Sequence, residues 1–83
     1  MTPSDETRKY VKENYIDPAR ARGDGEVSVR AGDVHEALGY SRRYPLVVGA
    51  LGALLFRTYA NVELVRIGGP LNGANTVLTF RIL

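Results

Sequence analysis

Apolar residues along this chain recur with a helical period in three stretches and with β-type alternation in three others. Between Ser4 and Ile16, Thr7, Val11 and Tyr15 stand four apart with Ile16 beside them, a narrow apolar stripe, while Lys9, Lys12 and Glu13 face away. Thr2-Pro3-Ser4-Asp5 supplies the signals of a helix start: a hydroxyl cap, Pro in the first turn and an acid near the positive end of the dipole. Asp17-Pro18 predicts the end of this helix, because the residue before Pro is pushed out of the α region. Pro18 to Gly25 then reads as an irregular surface loop, with Arg20 and Arg22 available to a backbone phosphate.

Val27 to Arg30 alternates with β-branched residues at every second position and predicts a short strand over 27–30. Such a strand is too short to stand alone, and its partner is expected in the C-terminal hairpin. A second helix is expected over 33–38, its inner side formed by Val34, Ala37 and Leu38. His35 falls off that face and reads as an exposed or rim histidine. Gly39 stands where a helix C-cap needs positive φ. Ser41 is placed to cap the next helix, and Pro45 fits its first turn. That third helix is expected over 45–59. Strands are expected over 62–67 and 75–82; in the second, Thr76, Leu78, Phe80 and Ile82 share one face and Val77, Thr79 and Arg81 the other. Gly68 to Ala74 joins them as a protruding loop, with Asn72-Gly73 as a tight reversal near its tip.

Composition narrows the picture. A chain of 83 residues makes one domain, residues 1–83, which buries only about 60–65% of its unfolded surface and so has little stability to spare. There is no cysteine and one histidine, which leaves no disulfide, no thiolate metal site and no expected metal or other cofactor. The polar N-terminus does not read as a signal peptide, and the longest apolar run, Pro45–Phe56, falls short of the ~20 residues of a membrane span. A soluble cytoplasmic protein is expected. No acid stands near a His, Cys or Lys at catalytic spacing and no phosphate-loop motif occurs, so no enzyme is expected.

Charge is uneven. Residues 1–36 carry six Lys/Arg against eight Asp/Glu, whereas residues 37–83 carry Arg42, Arg43, Arg57, Arg66 and Arg81 against Glu63 alone. The positive half coincides with the helix-turn-helix and hairpin stretch, as an electrostatic footprint for phosphate requires. All five are Arg, the side chain suited to bidentate phosphate and guanine contacts.

Helix, short strand, helix, turn, helix and two-stranded hairpin together resemble the winged helix-turn-helix family of α+β domains, over almost the whole chain. The turn segment VHEALGYS (Val34–Ser41) is similar to the family's small apolar helix, Leu-Gly, apolar and Ser pattern, and Val62–Ile82 is similar to its wing. The resemblance implies binding of double-stranded DNA, with the third helix in the major groove and the wing on the flanking backbone. Carried onto this sequence, Ser41, Arg42, Arg43 and Tyr44 lie at the groove-entering end, and Arg66, Asn72 and Asn75 on the wing.

The third helix departs from a base-reading pattern. After Tyr44 it carries no polar reader until Arg57. With Val47, Leu51, Leu54 and Leu55 expected inward, Pro45, Gly49 and Gly52 line the other side. That bare surface admits two readings: close approach to DNA through Gly49 and Gly52 with weak sequence specificity, in transcriptional regulation or chromosome organisation, or a protein contact, most simply a homodimer. A third reading has the run buried on more than one side. No small-molecule ligand is evident.

Overall fold

The computed structural model describes residues 1–83. Its first helix, α1 (3–22), starts as the sequence predicts: the Thr2 Oγ1 accepts the Asp5 amide at 3.1 Å, with Pro3 in the first turn. It does not stop at Asp17-Pro18. An α segment Pro3–Val11 passes through a π-helical turn, Lys12–Ile16, into a second α segment, Asp17–Arg22. Proline lacks an N–H and its ring crowds the carbonyl four residues back. The wider turn, in which the Asp17 amide reaches back five residues to Lys12, gives that ring room, and Pro18 sits in the first turn of the next α segment. Lys12 Nζ straps the junction to both Asp17 carboxylate oxygens, at 3.1 and 3.0 Å. The expected loop is therefore helix as far as Gly23. Arg20 donates to the carbonyls of Ala60 and Asn61 (2.8 and 3.0 Å) and Arg22 pairs with Asp24 at 3.0 Å, so both are engaged within the chain.

Three antiparallel strands, β1 (Glu26–Arg30), β2 (Val62–Gly68) and β3 (Val77–Ile82), form one sheet in the order β1-β3-β2. The short first strand pairs with the C-terminal hairpin, as expected. Strand β3 begins two residues later than the alternation predicts, since Asn75 and Thr76 belong to the loop. Registers Val27–Phe80–Leu64 and Val29–Leu78–Ile67 put the apolar set on one face. Val65 is an extra residue, a bulge between Leu64 opposite Phe80 and Arg66 opposite Thr79.

Helix α2 (Ala31–Ala37) follows β1 directly, two residues earlier than the sequence predicts. The expected third helix is two helices, α3 (Tyr44–Gly52) and α4 (Leu54–Ala60), separated by Ala53 in extended conformation at φ −75°, ψ 149°. Glycines at 49 and 52 weaken helix propagation there, and Arg57 Nη2 takes the freed Gly52 carbonyl at 2.9 Å. The break turns α4 onto a different face. Val47 and Leu51 are buried as expected, but Leu54 and Leu55 are 69% and 59% exposed, while Phe56 is buried. Phe56 meets Phe80 edge to face at 5.2 Å, in a core shared with Val11, Ile16, Val34, Val47, Leu51 and Leu78. Four helices and one three-stranded antiparallel sheet make a small α+β domain.

Candidate functional site

The turn between α2 and α3 is held from three sides. Gly39 closes α2 in the left-handed region (φ 70°), with its amide on the Glu36 carbonyl (3.0 Å) and the Tyr40 amide on His35 (3.1 Å). The Tyr40 hydroxyl donates toward the Glu6 carboxylate (2.8 Å) and the Pro3 carbonyl (3.0 Å), tying the turn to the start of α1. Burial, and then the bond to Glu6, push that phenol above its ordinary pKa. Third is His35. The sequence places it on the rim, yet it is 5% exposed: its ring stacks on Tyr44 at 4.0 Å, and its Nε2 accepts the Arg43 backbone N–H at 3.0 Å. An accepting Nε2 requires the neutral ring with its proton on Nδ1.

What this framework presents is charge. Arg42, in the left-handed region at φ 56°, and Arg43, whose guanidinium lies 5.5 Å from the Tyr40 ring centre, are both exposed. Ser41 is exposed as well and does not cap α3, whose N-cap position is Arg43 and which has no side-chain cap; the peptide that a serine cap would steady is held by His35 instead. Tyr44 is half-buried by its stack. Along α3, Pro45 and Gly49 face outward and Gly52 is half-buried. A Cβ at Gly49 or Gly52 would meet nothing within 4 Å, so nothing inside the monomer requires glycine at either position. Exposed Leu54, Leu55 and Tyr59 lie on the following helix.

The hairpin loop is less free than its composition implies. Its return limb docks on the start of α2, where the Gly32 amide donates to Ala74 and the Ala31 amide to Thr76, both at 2.8 Å. Buried Thr76 folds the limb through its hydroxyl, which accepts the Gly73 amide at 2.9 Å and donates to the Pro70 carbonyl. Asn72 is exposed near the tip with φ 55°. Asn75 is not a free tip residue. Its Oδ1 accepts from Arg30 Nη2 and Nε at 2.7 and 3.2 Å, and Arg30 Nη1 pairs with Asp33 at 2.8 Å. Sequence pattern does not single out Arg30, because its place is set by a loop more than forty residues away. Between turn and loop lies an open groove of about 470 Å³, lined among others by Arg30, Glu36, Ser41, Arg42, Tyr44 and Ala74.

Of the five arginines in the basic half, Arg57 serves the Gly52 carbonyl and Arg81 pairs with Glu63 at 3.0 Å. Arg42, Arg43 and Arg66 have no carboxylate partner. The chain matches no family model, no curated protein and no solved structure. The geometry therefore carries the functional reading alone. It offers exposed guanidinium groups on the turn and the hairpin, a groove between turn and loop, and no cluster of His, Cys, Asp or Glu able to hold a metal ion. No helix is long and apolar enough to cross a membrane.

Proposed function

We propose that this chain is a winged helix-turn-helix domain that binds double-stranded DNA with weak sequence specificity, in the cytoplasm or on the chromosome, as a transcriptional regulator or an organising protein. The strand order β1-β3-β2, with α2, α3 and α4 between β1 and the hairpin, supports the family reading. The observation that carries the function is the set of cations left over: Arg42 and Arg43 at the entry to α3 and Arg66 on the hairpin, none with an acid partner. Guanidinium groups in that state are free to replace the counterions of a phosphate backbone. Specificity is weak because Pro45, Gly49 and Gly52 bring no hydrogen-bond code to base edges, whereas phosphate contacts position a protein without reading sequence. The test is duplex binding titrated against salt, in the wild-type protein and in the Arg42→Ala, Arg43→Ala double variant.

A second reading, a protein-interaction module that pairs with a partner or a second copy, has its own support. Leu54, Leu55 and Tyr59 are 69%, 59% and 46% exposed, on α4, the helix that follows the break after Gly52. Gly49→Arg separates the two, since the monomer has open space at that position. Loss of a dimer or partner peak in sizing chromatography with duplex binding intact favours the interaction module; loss of duplex binding by an unchanged monomer favours groove entry.

A further inference from the structure

Arg30 is the most firmly oriented cation beside the turn, and its orientation is built by residues from the hairpin loop and from α2. Asn75 from the loop takes Nε and one Nη2 proton, and Asp33 from α2 takes one Nη1 proton. Gly32 makes room: a Cβ there would stand 2.8 Å from Arg30 Nη1 and 2.7 Å from the Ala74 carbonyl. A guanidinium has five N–H donors, so three are engaged and one remains on each terminal nitrogen. Each terminal nitrogen therefore keeps a donor for an anionic oxygen. The side chain is 42% exposed and borders the same groove as Arg42 and Ser41.

We propose that Arg30, together with Arg42, clamps one phosphodiester of the nucleic-acid strand in the groove between turn and hairpin loop. This rests on the DNA-binding reading and extends it to a further residue. Arg30 is the fixed jaw, ordered before binding and so losing little freedom on contact; Arg42 is the adjustable one. Asn75 is then a positioning residue, contributing through Arg30 and not through a base edge. Glu36, which lines the groove with no cationic partner, opposes the phosphate and limits the affinity.

The experiment is fluorescence anisotropy of a labelled duplex of about two helical turns over a salt series, with Arg30→Gln, Asn75→Ala and Glu36→Gln, each checked for folding by its melting curve. Arg30→Gln is expected to weaken binding about tenfold, the scale of a missing charge-assisted hydrogen bond, and to lower the salt slope by about 0.9 for the one phosphate released. Asn75→Ala, which frees the guanidinium but keeps its charge, weakens binding with the slope unchanged. Glu36→Gln tightens it. Wild-type affinity and slope in folded Arg30→Gln overturn the clamp while leaving the DNA reading in place. Should Arg30→Gln fail to fold, wild-type affinity in Asn75→Ala overturns it equally. A wild-type protein that does not bind the duplex overturns the DNA reading and the clamp with it. Displacement of the duplex by inorganic phosphate at constant ionic strength overturns the assignment to a strand.

Discussion

At the scale of single residues, glycines divide by what surrounds them, and sequence shows only the type. Gly32 and Gly49 both stand in helices, yet their substitution by Ala has opposite expected signs. At Gly32 the methyl meets the Ala74 carbonyl at 2.7 Å and the Arg30 guanidinium, an overpacking that costs about 1–3 kcal/mol. At Gly49 it meets nothing, and the gain in helix propensity is up to about 1 kcal/mol. Chemical denaturation of the two variants checks both. The Thr2 cap has a pH signature. Its side-chain and backbone bonds hold the Asp5 carboxyl below its ordinary value of 3.8. A depressed folded pKa adds stability above the unfolded value, and that stability is lost as pH falls through the folded one. Thr2→Ala is therefore expected to raise the Asp5 pKa, read by NMR titration, and to flatten the loss of stability below about pH 4. The cap was legible from Thr2-Pro3-Ser4-Asp5 alone, because capping is local. The burial of His35 was not, since it depends on where the Arg43 amide and the Tyr44 ring return after the turn.

At the scale of elements, alternation and period read well, whereas boundaries inferred from proline and leucine failed. The three strands and the closure of α2 at Gly39 follow from pattern and turn chemistry. Pro18 misled because a π-helical turn absorbs it, a device held by the Lys12–Asp17 pair and invisible to a rule about the residue before proline. Leu54 and Leu55 misled because the helical period was carried across Ala53, where the chain leaves the helix and Arg57 captures the Gly52 carbonyl. One extended residue moved two leucines from the expected core to the surface. That same break gives the interaction reading its apolar face, so the sequence could pose the question of the bare helix without locating the exposed side chains.

For the whole molecule, a charge imbalance read from the sequence resolves into structural and free arginines. Arg20, Arg57 and Arg81 bind the chain's own carbonyls or carboxylates, Arg30 is held in a groove, and Arg42, Arg43 and Arg66 are left without acid partners. Turn residues 41–44 stand out in the sequence as a candidate site because they follow a helix cap and precede a proline-started helix; the groove does not, because residues 30–44 and 74–75 meet only in the folded chain. Whether the free arginines of the turn neutralise phosphate is decided by the slope of log affinity against log salt for duplex DNA. Replacing Arg42 and Arg43 together with Ala is predicted to weaken binding and to reduce that slope by about one to two units, near 0.9 for each phosphate released. An unchanged affinity and slope in the folded double variant would mean that these arginines do not touch the DNA backbone.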